Sequence, residues 1–310
     1  MRDGGESDSQ GEFLVFRLPN ARRKAMRSAA AEATSLLAHL GAREAANGPL
    51  GNQVGLFYIE LPRPLLEAAI RLIPRLGYTA AVDIVEFSDQ RERGRRVELP
   101  RWKGRQYRLT PLYKSDHVLL REDAPDRREF ILPAQEGGLR RVVGYRGDSR
   151  NLHRRGLPVV DARLLVNLVF AENRGRFLDP FAGVGGIIIE AARSGYETFS
   201  VDVDSFVMYG LHNLASHVVA DAQRLPFQNA SFDSIASEPP YDEASTQTIC
   251  QAVSEMDRIL KPGGSVALMV ADHQTESVLL SAAAVSWQLR LREHIDRKGL
   301  PVTILSWRKL

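Results

Sequence analysis

Residues 176–186 read Arg-Phe-Leu-Asp-Pro-Phe-Ala-Gly-Val-Gly-Gly. The apolar start is typical of a buried strand, and the glycines at 183, 185 and 186 permit a tight turn with positive φ. The next residues, Gly-Ile-Ile-Ile-Glu-Ala-Ala at 186–192, predict a helix whose free N–H groups face the turn. A strand, a glycine turn and a helix in this order form either a nucleotide site or a plain tight turn, and the turn alone does not distinguish them.

Acidic residues stand at the ends of the next two predicted strands. Asp202 ends a strand at 196–201, 23 residues after Asp179. A separation of ~20 residues is typical of an acid that hydrogen-bonds a ribose. Asp221, followed by Ala222, comes after a third predicted strand, where it would meet an adenine. Each acid alone is equally consistent with a helix cap, but the ordered set favours a nucleotide-like ligand.

A fourth predicted strand at 233–237 runs into Glu238, Pro239, Pro240 and Tyr241. Two successive prolines cannot continue a strand ladder, and they fix φ twice, so the carbonyls and flanking side chains point in set directions. This rigidity suits a site that holds a planar base. The alternative is a simple strand terminator with an exposed tyrosine.

From about Arg154 to Leu310 the chain resembles class I S-adenosylmethionine-dependent methyltransferases that methylate amino groups. In that family the glycine turn holds the methionine part of the cofactor, the acid after the second strand binds the ribose, and the acid after the third meets the adenine. The resemblance implies a Rossmann-like α/β domain with a seven-stranded, mostly parallel sheet whose last strand is antiparallel. The cofactor-binding residues that it implies are Asp179, Pro180, Phe181, Ala182, Gly183, Gly185, Asp202, Asp221 and Ala222.

The family also has an element of Asp, Asn or Ser followed by two prolines and an aromatic residue. It matches Glu238, Pro239, Pro240 and Tyr241 with one departure, the glutamate in first position. The resemblance implies that these four residues are catalytic. Glu238 and the carbonyl of Pro239 would accept hydrogen bonds from an exocyclic amine, and Tyr241 would stack on the flipped base. A carboxylate suits guanine N2, adenine N6 and cytosine N4 equally.

Within this family, the chain most resembles the THUMP-associated tRNA guanine-N2 methyltransferases. Their Leu-Asp-Pro-Phe-x-Gly-x-Gly-Gly turn matches residues 178–186, and Asp161 is predicted to cap a short helix at 162–171 ahead of it. Those proteins carry a ferredoxin-like domain before THUMP. Here a strand, helix, strand, helix and strand are predicted at 12–18, 21–40, 54–61, 64–76 and 78–87, which indicates a small ferredoxin-like α+β domain over 12–90.

The segment that follows is strongly basic. Residues 91–156 hold 18 Lys and Arg against 9 Asp and Glu, whereas the whole chain has a net charge of +3. Aromatic residues and strand-like runs (106–112, 129–132, 140–145) are interleaved, the aromatics being Trp102, Tyr107, Tyr113, Phe130 and Tyr145. Cations neutralise phosphates and aromatics stack on unpaired bases, so 91–153 is predicted to bind RNA. The alternative is a solvated basic linker. The segment is shorter than a complete THUMP domain, which implies a reduced or altered module.

The composition sets the broad class of the protein. A chain of 310 residues with 44% hydrophobic content is long enough for two cores, here 12–90 and a methyltransferase domain at 154–310, after a polar tail at 1–11 predicted to be disordered. A single cysteine fits a reducing compartment, and no apolar run is long enough to span a membrane. We therefore expect a cytoplasmic protein. The histidines form no cluster with ligand-like spacing, so no metal is predicted.

These observations predict an S-adenosylmethionine-dependent RNA methyltransferase that acts on an exocyclic amino nitrogen, with tRNA as the partner and guanine N2 as the favoured acceptor. A DNA adenine-N6 or cytosine-N4 methyltransferase is one alternative. A non-catalytic RNA-binding protein that keeps the fold is another. The sequence does not determine the methylated position or the oligomeric state.

Overall fold

The computed structural model describes residues 11–88, 99–115, 129–133, 139–143, 157–204, 215–285, 287–297 and 299–310. In this part of the chain there are two large sheets and one hairpin. The predicted polar tail at 1–11 lies almost wholly outside the described residues. None of the described helices combines the length and the apolar character needed to cross a bilayer.

The N-terminal sheet is antiparallel and has six strands. They are β1 (Glu12–Arg17), β2 (Arg43–Ala45), β3 (Leu56–Leu61), β4 (Ala81–Ser88), β5 (Arg101–Trp102) and β6 (Arg105–Lys114). Helix α1 (Met26–Leu37) follows β1, and α2 (Leu66–Leu72) follows β3. The strand order is β2-β3-β1-β4-β6-β5, and the first four strands with their two helices have the ferredoxin-like β-α-β-β-α-β arrangement. All five elements predicted here are confirmed, whereas the short edge strand β2 was not predicted.

Part of the basic segment belongs to this sheet. Strand β6 pairs with β4 along its length, from Lys114 opposite Ala81 to Gln106 opposite Ser88. The side chain of Tyr107 is buried and its hydroxyl donates to the carbonyl of Pro49 at 3.1 Å. Tyr107 is therefore part of the N-terminal core and is not available to stack on a base.

The remaining strand-like runs of the basic segment form a separate hairpin. Strand β7 (Glu129–Pro133) pairs antiparallel with β8 (Leu139–Val143), which confirms two of the predicted strands. Tyr145 lies outside the described residues. The paired backbones of the hairpin show that the segment contains folded β structure. The binding of RNA by this segment stays a prediction.

The second sheet has seven strands. They are β9 (Arg176–Asp179), β10 (Glu197–Asp202), β11 (Ser216–Val219), β12 (Phe232–Ser237), β13 (Leu260–Ala271), β14 (Trp287–Arg297) and β15 (Leu300–Lys309). Among the described residues, the α-helices around this sheet are α3 (Val159–Leu168), α4 (Gly186–Arg193), α5 (Thr246–Ile259) and α6 (Thr275–Ala284). The order is β11-β10-β9-β12-β13-β15-β14, and β15 runs antiparallel to both neighbours. The predicted Rossmann-like α/β fold with an antiparallel last strand is confirmed.

The central strands explain why the sheet forms and where a ligand fits. Successive residues such as Phe177 and Leu178 are both fully buried, as expected for a parallel sheet covered on both faces. The chain runs from β9 outward through β10 and β11, then returns to β12 on the other side of β9. This change of direction leaves a crevice beyond the carboxyl ends of β9 and β12, where open α/β sheets bind ligands.

The N-terminal sheet is docked on the second sheet through buried carboxylates. Glu293 of β14 accepts hydrogen bonds from the backbone N–H groups of Arg27 and Ser28, at 3.0 and 2.6 Å. These N–H groups belong to the first turn of α1, which has no cap of its own. A carboxylate at this position satisfies free donors and complements the helix dipole, so β14 caps α1 from another part of the fold.

A second buried carboxylate lies in the same interface. Glu32 of α1 accepts from the backbone N–H groups of Gly77 and Tyr78, at 2.6 and 3.0 Å, and from Nδ2 of Asn167 at 2.8 Å. Burial raises the pKa of Glu32 to about 7. Three donors converge on one buried acceptor, so this contact fixes α1, the turn before β4 and α3 relative to one another.

Candidate active site

The glycine turn after β9 has the conformation that its sequence predicts. Gly183 and Gly185 have φ of +47° and +81°, and the N–H of Ala182 donates to the carbonyl of Val201 at 2.9 Å. Helix α4 begins directly afterwards, at Gly186. A Cβ added at Gly183 would meet no atom within 4 Å. The turn therefore presents bare backbone to open space, as a turn that a ligand approaches closely must.

Asp179 supports the turn from inside. It is buried at the end of β9, and its Oδ1 accepts from the N–H of Phe181 at 3.1 Å and from the hydroxyl of Ser237 at 2.5 Å. Burial, with smaller contributions from Asp202 and Glu238, raises the pKa of Asp179 to about 7. Ser237 was not predicted as a site residue, yet it joins the carboxyl ends of β9 and β12.

The other predicted cofactor residues divide into core and surface groups. Pro180 and Ala182 are buried, and Phe181 is half-buried against the core of the second sheet. Ala222 is buried next to Asp221, which is exposed and accepts from the N–H of Gln223 at 2.9 Å. Asp221 is thus the outermost acceptor of the set.

Asp202 bridges the turn and the end of β10. Its Oδ2 accepts from the N–H of Gly183 and its Oδ1 from the N–H of Asp204, both at 2.9 Å. An ionised carboxylate offers about four acceptor positions, so Asp202 retains capacity for two further donors. The side chain is half-exposed, and the two hydroxyls of a ribose are suitable donors.

The loop after β12 is held by a residue that the sequence did not reveal. Gln274 is buried, and its Nε2 donates to the carbonyls of Pro240 and Asp242, at 2.9 and 3.0 Å. Its Oε1 accepts from the N–H of Ala271 at 3.1 Å. Pro239 is buried, and no described residue donates to its carbonyl. The side chain of Gln274 therefore fixes the loop from behind.

The carboxylate of Glu238 is bound on one oxygen. Its Oε1 accepts from the hydroxyl of Tyr241 and from Nη1 of Arg297, the latter at 2.5 Å. Among the described residues, none donates to Oε2. Burial raises the pKa of Glu238, and the charge of Arg297 opposes this shift. The Tyr241 ring, predicted to stack on a base, is held by its hydroxyl in this network.

The prediction that Asp161 caps a helix at 162–171 is wrong. Helix α3 begins at Val159 with Pro158 as its N-cap, so Asp161 lies inside the first turn. Its carboxylate is fully buried and accepts from Nη2 of Arg22 at 3.0 Å and from the hydroxyl of Tyr78 at 2.7 Å. A tertiary network uses the carboxylate, which is why the local pattern was misleading.

The donors and acceptors at this end of the sheet fit an adenosyl group that carries a sulfonium. Glycine backbone allows close approach, Asp202 offers acceptors for ribose hydroxyls, and exposed Asp221 offers one for an amino group. Asp202 is a half-exposed carboxylate, which favours a bound cation. Within the described ranges, no three or more His, Cys, Asp or Glu side chains are placed to hold a metal ion.

Comparisons with known proteins agree with this geometry. Residues 178–268 match the family model described as a methyltransferase domain. A tRNA (guanine(10)-N2)-dimethyltransferase from Pyrococcus abyssi is 32% identical over 125 residues, which are 34% of this chain and 37% of that protein. One from Methanothermobacter thermautotrophicus is 28% identical over 150 residues, 43% of this chain and 44% of that protein. The chain thus covers less than half the length of these curated relatives.

A similar solved structure is TrmN from Thermus thermophilus. It is 17% identical, with a TM-score of 0.49 over 96% of this chain and 100% of that chain. The segment that matches the methyltransferase family model, residues 178–268, runs from β9 to β13. It includes the glycine turn, Asp202, Asp221 and the loop at 238–241. Residues 178–268 therefore match a methyltransferase domain over the strands and loops that carry the candidate site.

Proposed function

We propose, from the premise that residues 178–268 are a methyltransferase domain, that this chain transfers a methyl group from S-adenosylmethionine to an exocyclic amino nitrogen in RNA, with guanine N2 of tRNA as the acceptor. One observation carries the proposal. The loop from Glu238 to Tyr241 stands at the carboxyl end of β12, joined to the glycine turn through the 2.5 Å hydrogen bond between Ser237 and Asp179. The names of the two curated relatives support the choice of tRNA guanine.

The cofactor, when bound, supplies a methyl group activated by a sulfonium. The residues of this chain bind and orient it. Gly183 would let the ligand lie against the backbone, Asp202 would accept from the ribose hydroxyls, and Asp221 would accept from the adenine amine. The carboxylate of Asp202, at the end of β10, would favour the positive charge on the bound ligand.

The acceptor amine needs activation because its lone pair is delocalised into the base. Oε2 of Glu238 and the carbonyl of Pro239 accept from the two N–H groups, which directs the lone pair toward the methyl group and stabilises the charge that develops on nitrogen. The bound cofactor would supply the methyl group, with S-adenosylhomocysteine as the leaving group. The methylated nitrogen then loses a proton, for which Glu238 is the candidate acceptor. Tyr241 packs on the base.

Exposed cations on the N-terminal sheet support an RNA partner. Arg101, Lys103 and Lys114 of the β5–β6 region are exposed, and Nζ of Lys103 lies 4.6 Å from the ring centroid of half-buried Trp102. Such side chains neutralise phosphates irrespective of sequence, so binding of RNA should weaken steeply with salt. The base is then selected at the loop at 238–241.

The test is transfer of labelled methyl to unmodified tRNA and to duplex DNA, followed by nucleoside analysis. We expect label in N2-methylguanosine from tRNA and none from DNA. Label in N6-methyladenine or N4-methylcytosine from DNA would contradict the RNA assignment. Cofactor binding without transfer to either substrate would favour a non-catalytic RNA-binding protein.

Replacing Gly183 by alanine should weaken cofactor binding more than it affects folding. The new Cβ enters the open space beside the turn, where the proposed ligand lies, and we expect the affinity for S-adenosylhomocysteine to fall about tenfold or more. Isothermal titration calorimetry measures this affinity. Gly104→Ala is the matched control, because Gly104 also has positive φ (+77°) and nothing within 4 Å but lies in the β5–β6 turn. Equal affinities of the two variants would contradict the assignment.

A further inference from the structure

Four charged side chains of alternating sign connect the N-terminal sheet to the candidate catalytic loop. They are, in spatial order, Arg22, Asp161, Arg297 and Glu238. The distances between successive charged groups are 3.0, 3.2 and 2.5 Å. The exposed fractions of the Asp161, Arg297 and Glu238 side chains are 0%, 14% and 19%. Ion pairs this well buried are screened little by solvent, so each member strongly affects its neighbours.

Arg297 occupies the central place in this row. Its Nε faces Oδ2 of Asp161, while its Nη1 donates to Oε1 of Glu238 and lies 2.9 Å from the hydroxyl of Tyr241. The guanidinium is planar and its donors point in fixed directions, so contact with Asp161 on one edge determines where the other edge lies. Oε1 of Glu238 is thereby fixed, and Oε2 is the oxygen left to accept a hydrogen bond from a substrate.

We propose that Arg297 is a positioning residue for methyl transfer: anchored on Asp161, it holds Oε1 of Glu238 so that Oε2 meets the acceptor amine. This inference rests on the proposed function. It also gives a reason for the glutamate at position 238, because the longer side chain reaches Arg297 across the end of the sheet.

The N-terminal sheet takes part in the same arrangement. The carboxylate of Asp161, which anchors Arg297, is itself held by Arg22 and by the hydroxyl of Tyr78. Both residues come from the N-terminal part of the chain, before α1 and before β4. Docking of the N-terminal sheet therefore fixes the position of the catalytic carboxylate through Asp161 and Arg297.

The row also controls the protonation of Glu238. The groups that act on it are Arg297 from β14, Tyr241 from its own loop, Asp161 from α3 and Asp179 from β9. Arg297 is the cation of this set that lies against the carboxylate, and burial and the two aspartates favour the neutral acid. Glu238 accepts well from the amine only when ionised, so loss of Arg297 should move the acidic limb of the activity profile to higher pH, by about 1–3 pH units.

The experiment compares Arg297→Gln and Arg297→Lys with Arg292→Gln. Arg292 lies on the same strand and forms an exposed ion pair with Glu276, which makes it a matched control. Three quantities are measured: kcat against pH with tRNA, affinity for S-adenosylhomocysteine, and the titration of the Glu238 carboxyl carbon by carbon-13 NMR in the protein without cofactor or RNA. Glu238→Gln assigns the NMR signal.

We expect Arg297→Gln to lower kcat at neutral pH about 10²-fold, to shift the acidic limb upward, and to leave cofactor affinity within about twofold of the parent protein. Arg297→Lys keeps the charge but cannot contact both carboxylates in the same geometry, so it should lower kcat about tenfold with little shift in the profile. It also keeps the proposal testable where Arg297→Gln fails to fold. Arg292→Gln should resemble the parent in all three measurements.

Two results would overturn the proposal. One is an unchanged pH profile in an Arg297→Gln variant that folds, and the other is an NMR titration of Glu238 that does not respond to loss of Arg297. Failure of the parent protein to methylate RNA is a different outcome and would contradict the proposed function. The NMR titration needs neither cofactor nor RNA, so it still tests the link between Arg297 and Glu238 in that case.

Discussion

Glu238→Ala is expected to lower kcat for methyl transfer about 10²–10³-fold, the range for loss of one fixed group that stabilises charge in a transition state. The side chain stands at the end of β12 with Oε1 bound to Tyr241 and Arg297. Its removal takes away the proposed acceptor for the amine and leaves Arg297 next to Asp161 without its second carboxylate. Binding of S-adenosylhomocysteine should change little, because the glycine turn and Asp202 do not contact Glu238 through a hydrogen bond.

A set of substitutions at this position separates charge from length. Glu238→Gln keeps the length but loses the negative charge, and we expect it to be nearly as impaired as the alanine variant. Glu238→Asp keeps the charge but withdraws the carboxylate from Arg297 by one methylene, and we expect a loss of about tenfold, since small misplacements of a catalytic group are costly. If length were unimportant, the aspartate variant would match the parent.

Single-turnover methyl transfer to tRNA measures these effects without interference from product release. Glu276→Ala is the matched control, because Glu276 is an exposed carboxylate that also pairs with an arginine of β14. It should retain the parent rate. A Glu238→Ala variant that is folded, binds the cofactor and transfers methyl at the parent rate would contradict the catalytic role.

The sequence was informative where the chemistry is local. A glycine turn needs glycine at the positions with positive φ, and a strand that ends in an acid places that acid at the edge of a parallel sheet. For these reasons the turn at 179–186, Asp202, Asp221 and the loop at 238–241 were located from the sequence, and the seven-stranded, mostly parallel sheet with an antiparallel last strand followed from the resemblance.

What could not be predicted depends on contacts between distant parts of the chain. Arg297 and Glu238 are 59 positions apart, and Gln274 and Pro240 are 34 apart. Neither Arg297 nor Gln274 belongs to a motif, and each lies in an ordinary strand or turn. Asp161 was misassigned for the same reason. Its position near a helix start suggested a cap, whereas Arg22, 139 positions away, binds its carboxylate.

Gly77→Ala should destabilise the protein by about 3 kcal/mol, at the upper end of the range for overpacking. A Cβ at this position would lie 2.1 Å from the backbone carbonyl oxygen of Val160 and 3.1 Å from Cβ of Arg163, both in α3. The φ of Gly77 is outside the left-handed region, so alanine is compatible with the backbone conformation itself. The loss of stability therefore arises entirely from the contact with α3, because the helix backbone cannot move aside as a flexible side chain would.

Movement of residue 77 away from α3 would relieve the contact but break others. The N–H of Gly77 donates to buried Glu32, and Tyr78 donates to Glu32 through its N–H and to Asp161 through its hydroxyl. An acceptor left buried without its donors costs about 1–3 kcal/mol, so neither response is favourable. Because Asp161 anchors Arg297, we also expect methyl transfer to fall in the folded fraction of this variant.

Urea unfolding followed by circular dichroism measures the change in the free energy of unfolding, and Gly51→Ala is the control. Gly51 has φ of +68° and no atom within 4 Å of an added Cβ. Alanine there destabilises the protein only because its backbone must be left-handed, by about 1 kcal/mol. If Gly77→Ala lowered the free energy of unfolding by no more than Gly51→Ala does, α3 would have to shift freely against the N-terminal sheet. The buried carboxylates that join the two sheets would then not be rigid, and Asp161 would not hold Arg297 in place.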